Sequence, residues 1–378
     1  MQQLRPRPKV CFVVNLPDKS KTGFELQVKG GAEFQCYLIA KHLASIGWDV
    51  TYIILEPTTI IEKAFRIYCV KGLGRGLLRR YSRAPSLFVF MREINPDIIV
   101  TAHRGSLIGF VALYCLLYRK KLLYRARHTF DGDLTFGKNT GWNDLGFIAR
   151  RLHTFAVKRA DAIVANSEDV ARVFKRSLPM KKVWVIKNGL PIDAHRGGSK
   201  SIVVWIGRFE KQKNPETFIR LAKKLPEIRF VMCGYGQLYE DCVRKAKTVQ
   251  NLCLNGWADE GTKRKLFDTA YAFVSTSSSE GFPNTLIEAG TYSVPYISFV
   301  DPDEVICQNK LGFHVNSFSE LVEKTRLLAN DSSLRTEMAV NIRHYVEKEH
   351  RIEDTVSKYV IVLSSLLDNS RRNPSQES

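Results

Sequence analysis

The sequence predicts an α/β protein of two doubly wound domains, each built on a parallel sheet. Three observations predict it. The chain has 378 residues, more than one hydrophobic core usually organises. Short β-like apolar runs alternate with longer runs of helical period, the pattern of βαβ units. A polar stretch broken by Pro and Gly, NGLPIDAHRGGSK (188–200), divides that alternation into two similar halves and reads as a linker.

In the first half the strand candidates are VCFVVNL (10–16), DVTYIIL (49–55), DIIVTAH (97–103), KLLYRAR (121–127), AIVANS (162–167) and VWVIK (183–187). Between the first two, AEFQCYLIAKHLASIG places Phe34, Leu38, Ala40 and Leu43 on one helical face, and Gly47 is a natural stop. The second half runs SIVVWIG, a helix from Asn214, RFVMCG, a helix near 237–247, NLCLNGW, a helix near 260–269, AFVSTS and a further helix. Asn214-Pro215 offers a side-chain acceptor at the N-cap and Pro at the first helical position. Helical runs at 318–330 and 333–368 precede a polar tail. The expected boundaries are 1–188, 189–346, a last helix over 347–368 and a disordered tail over 369–378. Two such domains in series create a cleft between the carboxyl ends of their strands, the expected place for chemistry.

Composition narrows the class. A hydrophobic fraction of 44% with 25% charged residues is that of a soluble globular protein. The eight cysteines, at 11, 36, 69, 115, 233, 242, 253 and 307, contain no C-x2-C pair. That excludes a zinc-ribbon or disulfide framework and points to buried thiols in a reducing cytoplasm. The apolar run near the amino terminus is short and lacks a small-residue cleavage site, so a first strand is expected there instead of a signal peptide. The longest lipid-like stretch, SLIGFVALYCLLY (106–118), is too short for the roughly 20 residues of a membrane span and is expected to be a buried helix.

The net charge of +19 is lopsided. Residues 1–190 carry 32 Lys+Arg against 14 Asp+Glu, and residues 191–378 carry 25 against 24. From Lys63 to Phe130 there are fourteen basic residues and two acids. The first half is expected to meet something negative.

Three stretches of the second half carry candidate chemistry. In IGRFEKQKN (206–214), Arg208 ends a strand and Lys213 precedes a helix, which brings two cations to the mouth of the cleft or leaves them in a solvated loop. In VMCGYGQL (231–238), Gly234 and Gly236 allow close backbone approach to a ligand or make an ordinary tight turn. In SSSEGFPNTLIEAG (277–290), Glu280 and Glu288 flank a turn that opens a helix, whose free N–H groups suit an anion or hydroxyls. The same two carboxylates would equally complement a helix dipole and line an exposed face.

Taken in order, strand-Gly207-Arg208-x4-Lys213, strand-Gly-x-Gly and Glu280-Gly281-Phe282-Pro-x4-Glu288 resemble the carboxyl-terminal domain of family 4 glycosyltransferases of the GT-B fold. KGGAEFQCYLIAKHLASIGWDVTYI (29–53), KRADAIVANSEDVARVF (158–174) and VIKNGLPID (185–193) are similar to other parts of the same family, from about residue 9 to residue 368. The resemblance implies two Rossmann-like domains and transfer of a sugar from a nucleotide diphosphate donor with retention of configuration, without a metal or other cofactor.

By that resemblance, Arg208 and Lys213 match the cations on the donor diphosphate. Glu288 matches the carboxylate on the ribose hydroxyls, and Glu280 the one near the donor sugar. Phe282, Asn284, Thr285 and Leu286 match the backbone that holds sugar and phosphates, with Gly207, Gly234, Gly236 and Gly281 beside it. Gly30 and Gly31 match the glycine loop, and His128 a histidine that contacts the donor sugar. The last helix is expected to cross back onto the first domain. One departure is SFVDPDEVI (298–306), where many relatives have a glycine-rich loop followed by an acid; Glu304 is the candidate for that acid. Asp131-x-Asp133 and Asp301-x-Asp303 look like metal-binding pairs and are read as acceptor-side polarity and a turn.

The amino-terminal domain is implied to bind the acceptor. KAFRIYCVKGLGRGLLRRYSR (63–83) mixes Lys63, Arg66, Lys71, Arg75, Arg79, Arg80 and Arg83 with apolar residues, as an interfacial amphipathic segment does. The expected partners are a nucleotide sugar, most simply a UDP-sugar carrying a hexose or N-acetylhexosamine, a lipid-linked or glycolipid acceptor of surface polysaccharide assembly, and the anionic inner face of the cytoplasmic membrane. Two rivals stand beside this. An epimerase or a phosphorylase-like enzyme would keep the fold. A nucleic-acid binder is permitted by the charge, but no zinc-finger spacing or RNP-like aromatic pattern supports it.

Overall fold

The computed structural model describes residues 7–14, 31–55, 63–72, 81–134, 146–192 and 200–371. It separates into two compact units, Met1–Gly189 together with Ile352–Ser378, and Leu190–Arg351.

The first unit holds seven parallel strands: β1 (Lys9–Val14), β2 (Asp49–Ile54), β3 (Arg66–Cys69), β4 (Ile98–Thr101), β5 (Lys121–Ala126), β6 (Ala162–Ala165) and β7 (Val183–Val185). Their order is β3-β2-β1-β4-β5-β6-β7, with Val10 opposite Val50 on one side and Ile98 on the other. The central strands are mostly apolar because helices cover both faces. Helix Gly31–Ser45 buries Cys36, Leu38, Ile39, Ala40 and Leu43, and Gly47 ends the turn at φ +94°.

Strand β3 escapes the sequence reading and corrects it. Arg66–Cys69, within the stretch expected to lie on a membrane, forms an edge strand, with Phe65 and Val70 beside it in the core. Arg83 is 6% exposed and opens the helix Arg83–Ile94, so it faces no lipid. Lys63, Arg66 and Lys71 are exposed, and Arg66 lies 4.0 Å from Asp49. Arg75, Arg79 and Arg80 lie outside the described residues.

The carboxyl-terminal run is broken at His350 and Arg351 into helices Ser332–Glu349 and Ile352–Arg371. The second of these belongs to the first unit and packs on helix Gly31–Ser45. Tyr359 accepts a hydrogen bond at its hydroxyl from Arg125 Nε at 3.0 Å, and Thr355 donates to the Lys187 carbonyl at 3.2 Å. The tail from residue 372 onward, and residues 193–199 of the linker, lie outside the described residues.

The second unit has six parallel strands: β8 (Ile202–Arg208), β9 (Arg229–Tyr235), β10 (Leu252–Asn255), β11 (Ala270–Ser275), β12 (Tyr296–Ser298) and β13 (Gly312–His314). The order is β10-β9-β8-β11-β12-β13. The chain winds outward from β8 to β10, returns to β11 and winds the other way. The direction therefore reverses between β8 and β11, and in such sheets the crevice for a ligand opens beyond the carboxyl ends of that pair.

Candidate functional site

The turns after β8 and β11 are tied together by side chains. Thr276 Oγ1 accepts from Trp205 Nε1 at 2.9 Å and donates to the Lys213 carbonyl at 2.7 Å. Ser278 N donates to the Gln212 carbonyl at 2.9 Å, and Gln212 Nε2 to the Ser279 carbonyl at 2.6 Å. These bonds account for the polar run STSSS after an apolar strand. Thr276 is almost wholly buried, and its hydroxyl is satisfied by Trp205 and the Lys213 carbonyl.

The lacing brings Lys213 Nζ onto Glu280 Oε1 in a largely buried ion pair. Arg208, about half exposed, rests its guanidinium 2.9 Å from Glu210. Both cations expected to meet a diphosphate are thus held by carboxylates. Glu210 lay inside the fragment the sequence singled out, but its role as a partner did not show there.

Beyond Glu280 the chain enters helix Asn284–Thr291, with Pro283 at the N-cap. Proline brings no side-chain acceptor, and the first turn holds no acid, so the positive end of this helix has no cap or counter-charge of its own. Phe282 is buried with its ring 5.0 Å from that of His350, which anchors the turn. The residue type matters here for packing as well as for its backbone. Gly281, Asn284 and Leu286 are buried, and Thr285 is half-buried.

Glu288 lies one turn further on. Its Oε2 is 3.0 Å from Lys263 Nζ, which also pairs with Glu260 at 2.9 Å. Burial raises the Glu288 pKa, and Lys263 opposes the rise. Burial also works against charge on Lys263, but Glu288 and Glu260 outweigh it and its pKa is raised. The sequence reading missed Lys263. It sits on helix Glu260–Thr269, and nothing in the local pattern marks it as a partner for Glu288.

The G-x-G turn that ends β9 has a packing reason for its glycines. Gly234 and Gly236 have φ of +145° and +151°. A Cβ on Gly234 would stand 1.8 Å from the Gly207 carbonyl oxygen, and one on Gly236 would stand 2.5 Å from that of Phe209. The absence of side chains lets β9 close on the end of β8, so these glycines shape the wall of the site from within. Asn214 departs from expectation. It takes a left-handed conformation, φ +45°, and makes no side-chain cap, while Pro215 does occupy the first helical position.

After β12, Asp303 and Glu304 keep left-handed backbones at φ +56° and +57° without glycine. Glu304 is exposed and accepts from Gln308 Nε2 at 3.1 Å. Asp301 caps the next turn, accepting from Ile306 N at 2.7 Å and Cys307 N at 3.0 Å. Among the described residues, Asp301, Cys307 and His314 place possible metal-ligand atoms within 4.8 Å of one another, although both Asp301 oxygens already serve as caps.

In the first unit, His128 caps the short turn Thr129–Gly132. Its Nδ1 accepts from Phe130 N at 3.2 Å, which leaves the proton of the neutral ring on Nε2. Asp131 is buried and accepts from Arg127 N at 2.9 Å and His128 N at 3.1 Å. It positions the histidine loop, a role that the reading of Asp131-x-Asp133 did not include. Gly31 begins helix Gly31–Ser45, and Gly30 lies outside the described residues. The sheet reverses between β1 and β4, so His103 and Arg104, just after β4, also stand at a switch point that the sequence analysis did not single out.

Comparison with known proteins accords with this geometry. Residues 29–194 match the model "Glycosyltransferase Family 4", and residues 193–345 match "Glycosyl transferases group 1". The chain belongs to the family 4 glycosyltransferases of the GT-B fold. It is 26% identical over 237 residues to alpha-galactosylglucosyldiacylglycerol synthase of Streptococcus pneumoniae, covering 55% of this chain and 63% of that protein. It is 29% identical over 154 residues to an alpha-1,4-N-acetyl-D-galactosaminyltransferase of Campylobacter jejuni, whose name specifies a diNAcBac-PP-undecaprenol-linked acceptor, covering 38% and 43%. The chain therefore spans less than two thirds of either relative. A crystal structure of Anabaena HepE in complex with UDP-glucose superposes with a TM-score of 0.74 at 15% identity, over 94% of this chain and 99% of that one.

Proposed function

We propose that this glycosyltransferase moves a hexose or N-acetylhexosamine from a UDP-sugar to a lipid-linked or glycolipid acceptor, with retention of configuration and without a metal, at the anionic inner face of the cytoplasmic membrane. The product would belong to a surface polysaccharide or glycolipid. The observation that carries the reading is the Lys213–Glu280 pair beside Arg208 and the uncapped start of helix Asn284–Thr291, all at the switch point of the second sheet. The names of the two sequence relatives, both acting on lipid-borne sugars, support the acceptor class.

When the bond between the sugar and the diphosphate breaks, the leaving group gains about one negative charge. A guanidinium, an ammonium and a helix N-terminus stabilise that charge more in the transition state than in the bound donor. Donor phosphates would draw Lys213 from Glu280 and Arg208 from Glu210, and the released Glu280 would accept hydrogen bonds from sugar hydroxyls. Glu288, paired with Lys263, would accept them from the ribose.

A thermal-shift screen over UDP-, GDP- and ADP-sugars tests the donor class, since a ligand at about 100 times its Kd adds roughly 2.7 kcal/mol of stability. Lys213→Ala and Arg208→Ala should each lower kcat by about 10²–10³. Glu288→Ala should instead raise the donor KM. Unchanged kinetics in all three would refute the site. Product NMR reads the anomeric configuration, and turnover in excess EDTA reads the metal requirement.

A further inference from the structure

Helix Ser106–Leu117 contains no charged residue, and its exposed residues lie in its carboxyl-terminal half. Leu113, Leu116 and Leu117 form an outward stripe at i, i+3 and i+4, continued by Tyr118, and Leu117 is 63% exposed. The sequence reading of this segment as a buried helix holds for eight of its twelve helical residues, and the leucines at its end depart from it. Helix Phe147–Arg159 packs directly against it, since a Cβ on Gly109 would stand 2.6 Å from Leu152 Cβ. That helix exposes Phe147 at 70%, Ile148 at 61% and Phe155. Arg151 lies over the Phe147 ring at 4.9 Å.

The two helices are the crossovers β4–β5 and β5–β6, which step in the same direction along the sheet. Right-handed crossovers put them side by side on one face, so both apolar stripes look outward together. Seven large apolar side chains thus share a surface that water would have to cover.

The charge on these two helices and on the turn 118–120 has one sign. Arg119, Arg151 and Lys158 are exposed, and Lys120 and Arg150 are half-buried. Neither helix, nor the turn 118–120 between Leu117 and β5, holds an acid. The nearby Asp161 is occupied by Lys121 at 3.4 Å, Arg159 at 3.2 Å and the Leu122 N–H at 2.8 Å. A second copy of this chain fits poorly, because a two-fold contact would set cation against cation.

We propose that helices Ser106–Leu117 and Phe147–Arg159 form a docking face for an anionic lipid bilayer, with the leucines and phenylalanines entering the acyl boundary and the cations at the headgroups. It gives an address on the chain to the membrane named in the proposed function. It rests on surface chemistry alone, so loss of donor binding would leave it standing.

The test is flotation of the full-length protein with vesicles of phosphatidylcholine, alone or with 30% phosphatidylglycerol by design. Wild type should float with the anionic vesicles and release in high salt. Arg119→Glu/Lys120→Glu/Arg151→Glu should weaken binding on the order of 100-fold, from roughly fivefold per cation lost at low salt. Leu117→Ser/Phe147→Ser/Ile148→Ser should weaken it about tenfold or more while the melting temperature holds, since all three side chains are exposed. The proposal is overturned by undiminished binding in both variants, by binding that moves instead with Lys63, Arg66 and Lys71, or by dimerisation of wild type that the serine variant abolishes without any vesicle binding. Donor thermal shifts measured on the same samples report separately on the nucleotide site.

Discussion

Acid should act first on the amino-terminal unit, at His153. Its ring is wholly buried, with Nε2 3.1 Å from the Asp131 carbonyl oxygen and the Tyr124 ring edge-on at 5.7 Å. A carbonyl only accepts, so Nε2 carries a proton. Burial holds the pKa down at about 4, against an ordinary 6.5, and the charges of Arg104 and Arg127 add to the effect while Asp131 opposes it. Between these two values the unfolded chain binds a proton that the folded chain refuses. Stability therefore falls as pH drops from about 6.5 to about 4. At about 1.4 kcal/mol per pH unit, that interval is worth about 3 kcal/mol, a large share of what holds a domain folded.

The assay is hydrogen exchange of peptides covering β5 and helix Phe147–Arg159 between pH 7 and 4, corrected for intrinsic rates, in wild type and His153→Gln. The glutamine does not titrate, so the variant, whatever its stability at pH 7, should lose about 3 kcal/mol less on acidification. Because Asp131 holds the N–H groups of Arg127 and His128, the same acidification should loosen the His128 turn. Equal losses in the two proteins would refute the reasoning.

Other perturbations follow from single contacts. Tyr359→Phe removes one of the partners of the buried Arg125 guanidinium, which keeps Asn188 at 2.5 Å, and should cost about 1–3 kcal/mol in a denaturant titration of the first unit. Gly234→Ala should prevent the second unit from folding stably, whereas Gly256→Ala, whose Cβ would meet only Tyr239 Oη at 3.8 Å, should be tolerated; comparable expression and melting of both would contradict the close-approach argument. Lys263→Met removes the cation that opposes the raised pKa of Glu288. Its donor KM should climb more steeply towards acid pH than that of wild type, and superimposable pH profiles would exclude a role for the pair. Thr276→Val breaks the bonds to Trp205 and to the Lys213 carbonyl, and should lower kcat with little change in the melting temperature of the first unit.

The sequence by itself determined the two α/β halves, most of their strands and the order in which Arg208, Lys213, Glu280 and Glu288 appear. Those features are local, since apolar periodicity and the spacing of a turn are set by neighbours along the chain. Strands β3, β12 and β13 escaped, although β4, β6, β7 and β10, equally short, did not. Only the tertiary structure decided the pairings. Lys213 with Glu280, Lys263 with Glu288 and Arg125 with Tyr359 join residues 67, 25 and 234 positions apart. It also decided which side of an apolar helix meets the core. Leu117 and Leu122 look equally hydrophobic in the chain, yet one is exposed and the other sealed, because burial belongs to the packing of whole elements and not to the residue.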